Sequence, residues 1–304
     1  MKNVLLLVAP LAMVLLLRLP AHSSGPRAGF FLPDSVNEMT LTYRTAGGLI
    51  VLPVTINDTV RVNLILDTGC RNLILFGKKF RKLLQMHPTR PVEFSGLGTG
   101  GPVVGSLSLN NKVSIEQVIG ERIPVVVVND SNLFAHHSKI DGVVGYEIFL
   151  KFEIELNARA KTISFRPALK TSVPCGYAKV PLRIVDARPV MESEVKLDGK
   201  NSRALELMID TGSGLGLLLK TTNLASFDYH QSTRVLGRGL NGPISGYSLS
   251  AKKLVLHDLE MESVPTGIVS SAWHNNASIG MMILKDYIVV VNYCRGYACF
   301  KRNV

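Results

Sequence analysis

Apolar and polar positions alternate in short bursts along most of this chain. The stretches "GLIVLPVTI" (48–56), "VRVNLILD" (60–67), "SLSLNNKVSI" (106–115) and "IPVVVV" (123–128) in the first half have the length and spacing of β-strands, as do "AKVPLRIV" (178–185) and "LELMID" (205–210) in the second. Helical periodicity is scarce. Its best instance is "FGKKFRKLLQM" (76–86), where Phe76, Phe80, Leu83 and Leu84 fall on one face and the basic residues on the other, which predicts one short amphipathic helix with a solvated charged side. The pattern therefore predicts an all-β protein with few, short helices.

The strand pattern also repeats. "LILDTGC" (64–70) returns as "LMIDTGSG" (207–214), so that Asp67 and Asp210 lie 143 residues apart. "GLGTGGPVVGSLSL" from Gly96 returns as "GRGLNGPISGYSLS" from Gly237, and "IDGVVGYEIFLKFEIEL" with Gly145 returns as "ASIGMMILKDYIVVVNY" with Gly280. Each copy ends in a turn and a last strand, "TISF" and "ACFKR". A chain of 304 residues is long enough for two cores of ordinary size. The Pro- and Gly-containing segment "RPALKTSVPCG" (166–176) reads as the linker, which predicts one lobe over 36–168 and a second over 174–304.

Ahead of the lobes, "MKNVLLLVAPLAMVLLLRLPAHSSG" has a single Lys, an apolar run from Val4 to Leu17 and a Pro-Ala pair before a Ser/Gly stretch. This predicts a signal peptide over 1–24 cut near Ala21, with an uncleaved signal anchor through residues 4–17 as the alternative, and hence a periplasmic or secreted protein. Export permits disulfides, and Cys294 and Cys299 flank "RGYA" in a terminal hairpin where they could bridge, with Cys175 as a competing partner. Cys70 reads as a small buried side chain. The lack of a C-x-x-C pattern, together with the adjacency of His136 and His137, which would point to opposite faces of a strand, argues against a metal site. The formal charge of +11 permits anionic partners but selects none.

An Asp-Thr-Gly turn after an apolar strand puts a carboxylate at the tip of a buried strand, and a lone copy is usually only a turn. Two copies in duplicated lobes can meet at a pseudo-twofold interface, where two close carboxylates would share one proton and could act as acid and base on one reaction centre. On these motifs both halves resemble aspartic proteases of the retropepsin-like and pepsin-like clan.

The resemblance implies two homologous β-barrel lobes, catalysis by Asp67 and Asp210, and supporting loops made by Thr68, Gly69, Thr211, Gly212 and Ser213, with the threonines bonding across the interface. It implies substrate-covering flaps at 95–105 and 237–246, carried by Gly96, Gly98, Gly100, Gly101, Gly237, Gly239 and Gly242. It also implies an apolar-apolar-Gly support behind each loop, here Val143-Val144-Gly145 and, with Ser278 in an apolar place, Ile279-Gly280. Two similar flaps in one chain make it look like a fused retropepsin dimer, so a monomer acting on a peptide or protein substrate without metal or cofactor is expected. Cys70 departs from the family pattern, since Ser213 could donate to its neighbouring carboxylate where a thiol is a weak donor.

The flap glycines also satisfy G-x-G-x-x-G, but the Pro-led alternating strands that follow them do not suit a dinucleotide site, which needs a helix there. No nucleic acid is expected as a partner. Two alternatives stand beside the protease reading: a catalytically silent peptide-binding module of the same fold in the cell envelope, and an envelope interaction protein anchored by its N-terminal segment that uses its basic surface.

Overall fold

A computed structural model describes residues 27–86, 91–94, 96–129, 139–198, 201–224, 233–271 and 277–303. The proposed signal segment and His136-His137 lie outside them. Strands dominate; the α-helices among the described residues are Lys79–Leu83, Tyr146–Phe149 and Met281–Leu284, each about one turn long.

Each half of the chain closes a six-stranded ring by the same route. In the first, Leu49–Ile56 pairs with Val60–Leu66, which pairs with Gly142–Val144, then Leu73–Phe76, Val118–Val128 and Val103–Ile115, which returns to Leu49–Ile56. In the second, Arg188–Lys196, Ser202–Asp210, Ala277–Gly280, Leu217–Thr221, Leu259–Ser270 and Gly242–Leu256 follow in that order, and the last pairs back to the first. The outer hairpin strands Arg44–Ala46 and Arg183–Val185 and the flap strands Pro91–Phe94 and Arg234–Gly239 complete the correspondence. Gly29–Phe31 adds an antiparallel edge to the first barrel.

A closed ring leaves few open edges, and its interior takes residues that are apolar at every position where two layers face each other. Val125, Val126, Val127 and Val128 are all buried for this reason. A third, antiparallel sheet joins the lobes. Its order is Ala178–Pro181, Tyr297–Arg302, Tyr287–Asn292, Phe152–Asn157, Thr162–Pro167 and Met39–Thr42, so its central pair brings together strands from opposite halves.

The stretch "AKVPLRIV" does not form one strand. Ala178–Pro181 belongs to the shared sheet and Arg183–Val185 to the second barrel, with buried Leu182 bonded to Gly296 O between them. The amphipathic helix is also shorter than its pattern. Phe76 ends a strand and Leu83 is exposed, while Phe80 and Leu84 are buried.

The segment 166–176 lies against the shared sheet. Arg166 pairs with Glu38, Glu153 and Glu155, and Asn292 Nδ2 donates to Ala168 O at 2.9 Å and Thr171 Oγ1 at 3.1 Å. The hairpin bridge between Cys294 and Cys299 is not made. All four cysteines are free, because Cys299 lies across from Val290 with its side chain in the Val290 and Tyr297 cluster, while Cys294 sits in the turn and donates to Leu150 O.

Candidate active site

Asp67 follows Val60–Leu66, and Asp210 ends Ser202–Asp210, the equivalent strand of the other barrel. Behind each, the Gly-containing motif forms a parallel strand pair, Val144 with Leu66 and Ile279 with Ile209. The loops are then pinned by main-chain bonds: Asp67 N donates to Val144 O and Tyr146 N to Cys70 O, both at 2.9 Å, while Met281 N donates to Ser213 O at 2.7 Å. A side chain on Gly145 would overlap the main-chain oxygens of Asp67 and Cys70, and one on Gly280 would lie 2.5 Å from Leu215 O and 2.7 Å from Ser213 O.

Thr68 and Thr211, both fully buried, exchange equivalent bonds across the lobe interface. Thr68 N donates to Thr211 Oγ1 and Thr211 N to Thr68 Oγ1, each at 3.0 Å; Thr68 Oγ1 donates to Ile209 O at 2.7 Å and Thr211 Oγ1 to Leu66 O at 2.8 Å. A hydroxyl that accepts one main-chain N–H and gives its own proton to the opposite strand satisfies polar groups of both loops, at a place that no water reaches. Tyr293, stacked on Phe149, adds a bond to Thr68 O at 3.3 Å.

This grip brings the carboxylates together. A Cβ at Gly69 would lie 3.2 Å from Asp67 Oδ1 and 3.4 Å from Asp210 Oδ1, and a Cβ at Gly212 would overlap the Asp67 carboxylate. Gly69 N donates to Asp67 Oδ1 at 2.7 Å. Burial, reinforced by the charge of Asp210, pushes Asp67 up to about 7, against the opposing pull of the Gly69 N–H and Arg188. Asp210 is raised by burial too, but Lys220, the Gly212 N–H and Arg188 pull it the other way. Arg188 pulls on both acids, so Lys220 is the cation that favours the ionised form on Asp210, and the proton on Asp67 persists toward neutral pH.

The Ser213 hydroxyl does not take the place expected of it. It accepts Leu215 N at 3.2 Å, and the main-chain N–H of Ser213 is the group that acts on Asp210. Cys70 behaves alike, with its thiol on Asn72 O at 3.0 Å; burial and the nearby Asp67 push the thiol well up, which leaves it protonated and unreactive.

The two Gly-rich hairpins meet at their tips. Val103 pairs with Phe94 in one, and Gly242 pairs with Gly239 across a two-residue turn, Leu240-Asn241, in the other. Asn241 clasps the first tip. Its Oδ1 accepts Gly98 N at 2.6 Å, its Nδ2 donates to Gly100 O at 2.9 Å, and its main-chain oxygen accepts Gly100 N at 2.6 Å. Side chains on Gly96, Gly98 or Gly100 would run into Asn241 or Gly242, and Gly242 has φ +120°; Gly239 lies against Gly98, Gly237 against Leu215, and Gly101 faces open space. Sequence reasoning missed Asn241, Tyr293, Arg188 and Lys220. Among these, the comparison of copies could have flagged Lys220, a cation where the matching strand of the first lobe has Phe76. Among the described residues no group of three or more His, Cys, Asp or Glu side chains could hold a metal.

No curated protein matches the chain. Residues 52–148, which carry the first Asp-Thr-Gly loop, the first flap and Val143-Val144-Gly145, match a family model described as aspartyl protease, and this similarity supports placing the chain with aspartic proteases.

Proposed function

We propose that the protein is a single-chain aspartic endopeptidase whose dyad is Asp67 and Asp210. The observation that carries this reading is the pair of buried carboxylates held at one point by two reciprocal threonines, with one of them kept protonated to about pH 7. In this reading a peptide lies extended under the two flaps. Ionised Asp210 takes a proton from a water held between the acids, and neutral Asp67 hydrogen-bonds the scissile carbonyl. Attack then gives a tetrahedral diol without a covalent enzyme adduct. The enzyme acts as a monomer, exported by residues 1–24.

Cleavage of a mixed peptide library by wild type, Asp67→Asn and Asp210→Asn tests the dyad. Each variant is expected to lose about 10²–10⁴-fold in kcat/KM, with wild type showing a bell-shaped pH profile. Single variants that cut as fast as wild type would overturn it, and peptide binding without turnover in all three would support the silent-module reading instead.

A further inference from the structure

The threonine exchange treats the two catalytic loops alike, but what stands behind them differs. The one-turn helices after Gly145 and Gly280 begin at Tyr146 and Met281, and the next strands run over Phe152–Asn157 and Tyr287–Asn292, so equivalent positions lie 135 residues apart. The pairing of these two strands keeps that offset, since Glu155 lies opposite its own equivalent, Val290. Tyr146, Phe149 and Tyr293 therefore correspond to Met281, Leu284 and Ala158.

Tyr293 follows a strand of the second lobe yet reaches the catalytic loop of the first. Its ring stacks on Phe149 with centroids 5.2 Å apart and lies 6.1 Å from the ring of Tyr146. Only 5% of the residue is exposed, so the ring has one place to be, and from there the hydroxyl donates to Thr68 O at 3.3 Å. Ala158, at the equivalent place, has no hydroxyl to offer the second loop.

Thr68 O and Gly69 N–H are the two ends of one peptide group, and that N–H donates to Asp67 Oδ1 at 2.7 Å. The group is planar, so a hold on its oxygen orients its N–H. A donor at the oxygen end also polarises the amide and strengthens the N–H as a donor. The phenol remains a donor through neutral pH, because burial, together with Asp67, Tyr146 and Asp210 nearby, pushes it well above its usual range.

We propose that Tyr293 is a positioning residue for one acid of the pair: its hydroxyl fixes and polarises the Thr68–Gly69 peptide group whose N–H binds the Asp67 carboxylate, a support that Ala158 cannot give to Asp210. The catalytic meaning of this support rests on the endopeptidase reading above. Asp67 also faces Asp210 from the opposite lobe, Arg188 from the second-lobe hairpin and, on its own loop, the Cys70 thiol, which in turn feels Glu147. Tyr293→Phe leaves each of these in place.

The test compares wild type, Tyr293→Phe, which keeps the ring and loses the hydroxyl, and a protein with 3-fluorotyrosine in place of Tyr293, whose hydroxyl is the stronger donor. Peptide cleavage is followed against pH on the full chain, and the carboxyl signals of isotope-labelled aspartate are titrated by NMR, with Asp67→Asn assigning that of Asp67. A weaker bond to the ionised form lets Asp67 keep its proton to higher pH. In Tyr293→Phe the high-pH limb of the profile and the Asp67 titration should therefore both move up, while the low-pH limb stays. The optimum rate should fall by no more than about tenfold, the worth of one neutral hydrogen bond. The fluorinated side chain should move limb and titration down. A role in packing alone would alter rate or stability with no such opposed shifts. Cleavage with limb and titration unmoved, or moved the same way in both proteins, overturns the positioning role and leaves the endopeptidase standing. Opposed shifts of the Asp67 titration with no cleavage by wild type keep the hold on Asp67 and overturn the endopeptidase. No cleavage and no shift overturns both.

Discussion

At the base of the cleft the two lobes are interchangeable, and at its rim they are not. Thr68 and Thr211 make the same bonds in opposite directions, and Gly145 and Gly280 both press on the loop in front of them. At the rim, Arg71 stands against Gly214, the Asp186 and Arg188 tip against the Gly47 and Leu49 tip, and a clasping Asn241 against the glycines of the first flap. The base is constrained from every side: each atom has a partner or a neighbour in contact, so a change in one lobe would have to be matched in the other. Rim side chains project into solvent and can differ at little cost in stability. The duplication therefore holds the paired acids in a symmetric frame while leaving the rim free to become one-sided.

The largest effect expected within the base concerns the glycines next to the acids, where the symmetry is only approximate. A methyl group at Gly212 would overlap the Asp67 carboxylate, whereas one at Gly69 would stop 3.2 Å from Asp67 Oδ1. Gly212→Ala should therefore displace the acid and cost on the order of 10²-fold or more in kcat, with a smaller loss for Gly69→Ala. Steady-state kinetics of the two variants decide it; equal losses would mean that the loops adjust alike and that the base is more pliant than its contacts imply.

Next comes the threonine exchange. Thr68→Val and Thr211→Val each strip a hydroxyl that serves two main-chain groups in a buried interface, so each should cost about 2–3 kcal/mol of stability in urea unfolding. The two costs should be similar. The double variant should cost less than their sum, because the first substitution already breaks bonds shared with the second. Strongly unequal single costs would break the twofold description of the base.

These base residues were legible in the sequence because the constraint on them is local and occurs twice. Asp-Thr-Gly is a turn that can be read within four residues, and its recurrence marks it as a site. The shared sheet was less legible: nothing in "EIEL" or "IVVVNY" says that Ile154 lies opposite Val291, a pairing set by the packing of two finished barrels. For the same reason Tyr293 looked like the end of a strand and not a support for Thr68. Asp186 meets Arg71 across 115 residues, through the packing of one lobe's hairpin tip on the other lobe's loop, which no local pattern in the sequence announces.

A smaller effect sharpens the electrostatic difference between the acids. Lys220 is the strongest influence that lowers Asp210, whereas the cation that lowers Asp67 is Arg188, and the matched strands put Phe76 in the place of Lys220 in the first lobe. Removing the cation in Lys220→Met raises Asp210, so more acid conditions no longer leave it ionised. The low-pH limb of the activity profile should therefore move to higher pH. The high-pH limb follows the loss of the proton held on Asp67 at about 7 and should stay in place. The profile then narrows from one side. A shift of both limbs together would show that the pair cannot be divided into a base on one lobe and an acid on the other.

The smallest effect is expected at the most conspicuous difference between the loops in sequence, Cys70 against Ser213. Both side chains turn to a main-chain group two residues on, the thiol to Asn72 O and the hydroxyl to Leu215 N, and neither is the group that bonds to its carboxylate. A serine at position 70 can make the thiol's bond and leaves a slightly smaller side chain in a nearly closed space. Cys70→Ser should therefore change stability by no more than about 1 kcal/mol, as a near-isosteric buried substitution does, and leave both limbs of the pH profile where they are. If either limb moved by half a unit or more, the thiol would have to act on Asp67 directly, and the asymmetry of the rim would extend into the base.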